Sequence, residues 1–254
     1  FNGNQVLKDI TTTVRTGEVL GLIGKSGSGK SVLINAMRGN EEYRPDSGRI
    51  IYRVNHCESC GWIDLPAAGV KCPMCGKATK IIEVDFWALN ERDPVRMAMR
   101  GRIAIMLQRT FALYGDLSVI ENVFEAMKEK SDEKKVEKAI KLLEMVNMTH
   151  RTMHIARDLS GGEKQRTVLA RQLARKPLLF LADEPTGTLD PETADIVHKA
   201  LINAVKDSGM AMVVTSHWPK AIELLSDRAI WLEEGMIKEE GEPSEITKAF
   251  DVKF

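Results

Sequence analysis

The strongest constraint on the fold lies within residues 19–37. The apolar run Val19-Leu20-Gly21-Leu22-Ile23 stops at Gly24-Lys25-Ser26-Gly27-Ser28-Gly29-Lys30-Ser31, and Val32-Leu33-Ile34-Asn35-Ala36-Met37 follows directly. A short apolar run bounded by glycine reads as a buried strand, and the segment after Ser31 reads as a helix. Strand, glycine-rich loop and helix in succession predict an α/β fold. The spacing Gly24-x4-Gly29-Lys30-Ser31 fits a phosphate-binding loop. Its glycines let backbone N–H groups turn inward and form an anion nest at a helix N-terminus. Lys30 then reaches the β- and γ-phosphates of a nucleotide, and the Ser31 hydroxyl coordinates Mg2+. Gly24, Lys25, Ser26, Gly27, Ser28, Gly29, Lys30, Ser31 and Val32 are the candidate contacts.

Further strands are expected at Arg49–Val54, after the turn Asp46-Ser47-Gly48, and at Ile81–Phe86, Arg102–Leu107, Leu178–Ala182 and Met210–Thr215. Val119 to Arg175 reads as mostly helical. Within it Val136, Ala139, Ile140, Leu143 and Val146 form an apolar stripe, and the charge-rich run Lys128–Lys138 is its solvated face. The run Leu178-Leu179-Phe180-Leu181-Ala182 ends in two acids, Asp183 and Glu184. Burying an unpaired carboxylate is costly, so two at one strand end need solvent or a partner. With a phosphate loop elsewhere in the chain, Asp183 is expected to hold Mg2+ and Glu184 to polarise the attacking water.

At 254 residues the chain suits one large α/β domain with a small appended module. Lys plus Arg and Asp plus Glu both number 36, which gives no electrostatic argument for nucleic acid or an anionic membrane. No run approaches the roughly 18 apolar residues of a membrane span, and no signal-peptide pattern is present. A cytoplasmic protein is expected, with any span supplied by another chain.

Between the phosphate loop and Asp183-Glu184 stands Leu159-Ser160-Gly161-Gly162-Glu163-Lys164-Gln165. The three segments in this order resemble the nucleotide-binding cassette of the ABC ATPase superfamily. The resemblance implies a P-loop NTPase core with an antiparallel β subdomain and a helical signature subdomain over residues 109–175, all within one ABC domain spanning 1–254. It implies hydrolysis of Mg-ATP to ADP and phosphate, shared between two cassettes. Ser160, Gly161 and Gly162 would contact the γ-phosphate held by the other cassette, and Asp190 in Gly187-Thr188-Leu189-Asp190 would lie at the interface. Gln108 would touch Mg2+ or the lytic water, and His217, after the strand Val213–Ser216, the γ-phosphate. Phe1, 23 positions before Gly24, matches the aromatic residue that stacks on adenine. Family members have a strand before that aromatic residue, so the chain is expected to be one cassette of a longer tandem protein.

All four cysteines fall in two knuckles, Cys57-Glu58-Ser59-Cys60-Gly61 and Cys72-Pro73-Met74-Cys75-Gly76. They lie in an insert spanning 55–80, between the two strands of the expected β subdomain. Paired Cys-x-x-Cys knuckles in an intracellular ATPase read as a metal site rather than a disulfide framework. Four thiolates with no open position imply a structural tetrahedral Zn2+, an inserted zinc ribbon. The knuckles also resemble those of rubredoxin, which leaves a single iron open, and free thiols without metal are the third reading. About 25 residues cannot build a core, so the metal would supply on the order of 10 kcal/mol of the insert's folding energy.

Tyr52-Arg53-Val54-Asn55-His56-Cys57, Cys60-Gly61-Trp62 and Glu83-Val84-Asp85-Phe86-Trp87 resemble the ATP-binding components of the methyl-coenzyme M reductase activation system of methanogens. That resemblance implies two cassettes in one polypeptide and a role in the ATP-dependent reduction of the reductase's nickel cofactor, within a larger complex. The metal insert favours a soluble ATPase that acts on such a protein partner, with the nucleotide-binding subunit of an ABC membrane transporter as the alternative. Nucleic-acid maintenance is a third role, which the balanced charge disfavours.

Overall fold

A computed structural model describes residues 5–107, 113–128 and 131–253. In chain order its strands and α-helices are β1 (Val19–Ile23), α1 (Lys30–Arg38), β2 (Ile51–His56), β3 (Ile63–Asp64), β4 (Lys80–Asp85), α2 (Pro94–Gly101), β5 (Ile103–Leu107), α3 (Val119–Phe124), α4 (Asp132–Met145), α5 (Gly161–Ala174), β6 (Leu179–Asp183), α6 (Pro191–Ser208), β7 (Ala211–Ser216), α7 (Pro219–Leu225), β8 (Arg228–Glu233), β9 (Met236–Gly241) and α8 (Pro243–Lys253).

Every residue of β1 is buried, as its unbroken apolar run predicts for a strand covered on both faces. It pairs in parallel with β7 and β8 inside a six-stranded sheet ordered β5-β6-β7-β1-β8-β9. Only β9, joined to β8 by a hairpin, runs antiparallel there. Alternation along β1 divides the core. Val19 and Ile23 pack into the larger cluster with α5, α6 and α8, while Leu20 and Leu22 pack on the opposite face against Ile34, Ile105, Leu181 and Val213. The carboxyl ends of β1, β6 and β7 carry the phosphate loop, Asp183-Glu184 and His217, the usual ligand edge of an open α/β sheet.

The second sheet is antiparallel, ordered β3-β2-β4, and pairs Ile51 with Asp85 through to His56 with Lys80. The first strand therefore begins two residues later than expected and continues to His56, because the ladder with β4 persists to the mouth of the insert. Buried Asn55 secures that mouth by donating to the carbonyls of Leu65 (3.1 Å) and Ala67 (2.8 Å). Arg102, immediately before β5, ties the insert to the rest of the domain. Its guanidinium donates to Ile63 O (2.6 Å), Asp64 Oδ1 (2.9 Å) and Lys176 O (2.7 Å).

The stripe on α4 is shorter than expected. Ala139, Leu143 and the capping residue Val146 are buried and Ile140 is half-buried, but Val136 is 46 % exposed. The first turns of α4 lie in solvent, where their charged residues gain hydration and Val136 finds no core to cover it.

Gly39 ends α1 at φ +78°, with its N–H on the Ala36 carbonyl. A Cβ at this position would stand 2.4 Å from the Phe86 ring. Gly39→Ala combines a left-handed backbone with overpacking and should cost roughly 2–4 kcal/mol. Urea unfolding should show a lower midpoint at unchanged slope, and a loss below about 1 kcal/mol would remove Gly39 from this role.

Candidate functional site

Gly29 precedes α1 at φ +105°, and a Cβ there would meet the Leu7 side chain at 2.7 Å, so the loop closes against the N-terminal segment only with glycine. Lys30 is turned back over the loop and is 7 % exposed. Its Nζ donates to Gly24 O (2.5 Å) and Lys25 O (3.0 Å). Burial pulls this ammonium below the ordinary lysine value, and the carboxylates of Glu184 and Asp183 push it back up.

Asp183 lies inside β6, one residue further than the sequence predicts for that strand. Its Oδ1 accepts from Thr215 Oγ1 of β7 at 2.6 Å. Glu184 follows at φ +49°, a conformation that costs an ordinary residue roughly 1–2 kcal/mol. Two hydrogen bonds hold it there, from its N–H to Thr215 O (3.2 Å) and Thr215 Oγ1 (3.1 Å). The turn directs the Glu184 carboxylate to His217 Nδ1, 3.0 Å away. Thr215 was not singled out in the sequence, because its role depends on the pairing of β7 with β6. Val6 was also missed, and no sequence pattern marks it.

A cavity of about 620 Å3 is lined by Val6, Ser26 to Val32, Asp183, Glu184 and His217. Ser28 Oγ is buried there with no hydrogen-bond partner among the described residues. An ammonium, a nest at a helix N-terminus and an orphaned hydroxyl facing two carboxylates suit a polyphosphate with its divalent cation. Ser31 and Asp183 both line this cavity. Gln108 and Phe1 lie outside the described residues.

Ser160, Gly161, Gly162 and Asp190 do not line this cavity. Ser160 caps α5 in a reciprocal box, its N–H donating to Glu163 Oε2 (2.8 Å) and its Oγ accepting from the Glu163 N–H (3.3 Å). Gly161 and Gly162 fill the first turn of α5, where N–H groups have no intrahelical partner. Asp190 caps α6 by accepting from the Thr193 N–H at 2.9 Å. Thr193 joins the two caps, since a Cβ on Gly162 would meet it at 3.2 Å and Arg166 donates to its hydroxyl. The predicted residues thus form two clusters. One lines the cavity, and the other lies outside it at the exposed N-terminus of α5 and the start of α6. Gln165 bridges them by donating to the carbonyl of Pro185, the residue after Glu184.

The sequence profile of the ABC transporter family matches residues 7–187. The chain belongs to this family. Its domain is an ABC ATPase, and its relatives are named for ATP binding. It is 51 % identical over 253 residues to an uncharacterized ABC transporter ATP-binding protein of Methanocaldococcus jannaschii, covering 98 % of this chain and 46 % of that one. The chain thus spans about half the length of that relative. It is 32 % identical to the arginine transport ATP-binding protein ArtM of Bacillus subtilis (97 % and 89 % covered). It is 34 % identical to the lipoprotein-releasing system ATP-binding protein LolD of Paramagnetospirillum magneticum (92 % and 90 %). Among solved structures, cbiO1 of Clostridium perfringens, part of an ABC transporter complex, superposes with a TM-score of 0.74 at 24 % identity, covering 99 % and 87 %. A dimeric bacterial ABC transporter cassette gives 0.70 at 25 %, covering 95 % and 93 %.

The four cysteines of this cassette form a separate centre. Their sulfurs all lie within 4.8 Å of one another, with Cys57 and Cys75 3.5 Å apart and Cys60 and Cys72 3.4 Å apart. Zn–S bonds of about 2.3 Å in a tetrahedron need sulfurs about 3.8 Å apart, so the donor set fits such an ion. Both knuckles make the same turn, Gly61 N–H to Cys57 O and Gly76 N–H to Cys72 O, each at 2.8 Å. Burial raises the Cys57 thiol, but hydrogen bonds from Cys75, the Ser59 N–H and Cys60 bring it to about 7. For Cys60 and Cys75, the N–H groups of Trp62 and Lys77 favour the thiolate, but neighbouring thiols and burial outweigh them. Several thiolates this close repel one another, a cost that a central cation removes.

The signature cap makes a pH-dependent contribution. The Ser160 N–H lowers the Glu163 carboxyl, burial opposes it, and the Ser160 side chain and Arg151 bring it down to about 2. A depressed carboxyl contributes stability that is complete above its unfolded value near 4.5 and is lost as pH falls toward 2. Glu163→Gln should therefore destabilise by about 1 kcal/mol at neutral pH. Paired thermal melts should show that difference closing in acid, and a pH-independent difference would refute the charged cap.

Proposed function

We propose that this chain is one cassette of a two-cassette machine, in which each Mg-ATP is held by the phosphate loop of one cassette and closed by Ser160, Gly161 and Gly162 of another. The separation of the phosphate cavity from the exposed N-terminus of α5 is the observation that supports this reading. Lys30 and the loop N–H groups hold the phosphates, with Val32 at the cavity wall and Phe1 assigned to the base. Ser31, Gln108 and Asp183 are assigned to Mg2+. Glu184 polarises the lytic water, and His217, already in contact with Glu184, reads the γ-phosphate. Asp190 lies at the junction between cassettes. The second cassette comes from a longer polypeptide or from a second copy.

Relatives named for arginine transport and for lipoprotein release favour coupling of this cycle to transport, so the partner on this reading is a membrane-embedded subunit. No helix of the described residues is long and apolar enough to cross a membrane. The second reading, ATP-dependent activation of methyl-coenzyme M reductase, rests on the four-cysteine insert at 55–80, which stands apart from the ATP chemistry and serves as a docking module. We assign Zn2+ to Cys57, Cys60, Cys72 and Cys75. Metal analysis should return about one colourless ion per chain, whereas strong visible bands would assign iron.

Glu184→Gln should lower turnover about 100-fold or more and accumulate ATP-bound cassette pairs. Unchanged steady-state turnover would remove Glu184 from the water-polarising role. Ser160→Arg should abolish hydrolysis while ATP binding survives, and loss of binding would sink the composite site. Capture from native extract with the trapped Glu184→Gln protein separates the two partner readings, since one predicts a permease and the other the reductase complex.

A further inference from the structure

The turn between β4 and α2 builds a second polar cavity, about 500 Å3, that the ATP chemistry does not use. Its walls carry three guanidinium groups, Arg44, Arg92 and Arg96, with Asn90 and one carboxylate, Glu91. Arg96 is the floor. It is 1 % exposed, its guanidinium lies 4.8 Å from the Phe86 ring centroid and 4.9 Å from that of Trp87, and it pairs with Glu41 and donates to Leu89 O. Its Nε is buried without a hydrogen-bond partner among the described residues. Arg44 lies over the other part of the same aromatic wall, 5.8 Å from the Trp87 centroid, and donates to the Trp87 carbonyl. Among the described residues no carboxylate pairs with Arg44 or Arg92.

We infer that this cavity is a receptor for an acidic peptide segment of a protein partner, with Arg44 and Arg92 closing on one carboxylate above the buried Arg96. The charge balance selects the ligand. Glu41 compensates Arg96, and Glu91 offsets one of the two remaining guanidiniums, which leaves a single positive charge for a single carboxylate. A dianionic phosphate would exceed that balance and face Glu91. Ala88 and Leu89 also line the cavity and give a peptide an apolar contact that a small anion cannot use. Arginine is suited to such a site because its planar fork matches a carboxylate in two hydrogen bonds.

The site is also wired to the phosphate loop. Trp87 Nε1 donates to Ala36 O at 3.2 Å and Phe86 packs on Gly39, so the aromatic wall sits on the C-terminal end of α1. The N-terminus of that helix carries Lys30 and Ser31. At about 1.5 Å per residue, one nine-residue helix separates the two sites by roughly 13 Å. This inference deepens the proposed function by naming the chemistry of the partner contact, and relies on that reading only for the existence of a partner.

The test uses the full chain and a blocked hexapeptide carrying one glutamate and a leucine, with its glutamine counterpart and inorganic phosphate as comparison probes. The glutamate peptide should change tryptophan emission saturably. Trp87→Phe should remove that signal while calorimetry still detects binding. Arg44→Glu and Arg92→Glu should each weaken binding at least 10-fold, and added salt should weaken it in the unaltered chain. ATP turnover should be unchanged in both arginine variants, which separates failure of this site from failure of the ATPase reading. Equal binding of the glutamine peptide, preference for phosphate, binding that survives both reversals together, or no binding would each overturn the proposal.

Discussion

A single buried ammonium sets the terms for the rest of the domain. Lys30 gives up most of its hydration and recovers only two backbone carbonyls from its own loop. A buried cation is tolerable only with opposite charge nearby, and β6 supplies Asp183 and Glu184 from across the sheet. That requirement fixes the relative register of β1 and β6, although β7 lies between them. β7 is itself recruited, because Thr215 holds the carboxylate of Asp183 and the N–H of Glu184 with one hydroxyl. Three strand ends and one helix start are thus bound into a unit before any nucleotide arrives. The left-handed backbone at Glu184 persists because this unit determines its position from both sides.

The second cluster follows the opposite logic. At Lys30 charge is buried and compensated internally, whereas at Ser160 the capping box satisfies two N–H groups and leaves Ser160 and Gly161 exposed. A helix N-terminus favours an anion, and Glu163 of the same chain supplies one carboxylate there. Hydrogen bonds through Gln165 and Thr193 tie it to the Pro185–Asp190 segment.

Local pattern carried the sequence reading where chemistry is local. The phosphate loop, the paired acids and the two knuckles each lie in a run of eight or fewer residues, and the structure assembles each in place. Non-local causes were not legible. Thr215 matters only because it pairs with Asp183, and the exposure of Val136 depends on where the core stops. Arg96 is the plainest case, because no composition rule places an arginine among the largest fully buried side chains. Phe86, Trp87 and Glu41 surround it from two other segments of the chain. The donor set of four sulfurs is shared by zinc and iron, so cysteine spacing points to a candidate metal site without choosing the ion. Family motifs likewise specify ATP chemistry without specifying a partner, and the relatives shift the weight of that question toward transport.

The insert matters mechanically because of where it is anchored. Its two-residue strand β3 is too short to hold a module by ladder bonds alone, with pairing limited to Asn55–Asp64 and His56–Ile63. Arg102 adds the missing restraint with bonds to both residues of β3 and a third to Lys176, just past the signature helix α5. Arg102 also directly precedes β5, the strand whose Leu107 pairs with Asp183. Arg102 therefore joins the insert both to the strand beside the carboxylates and to the turn that follows α5.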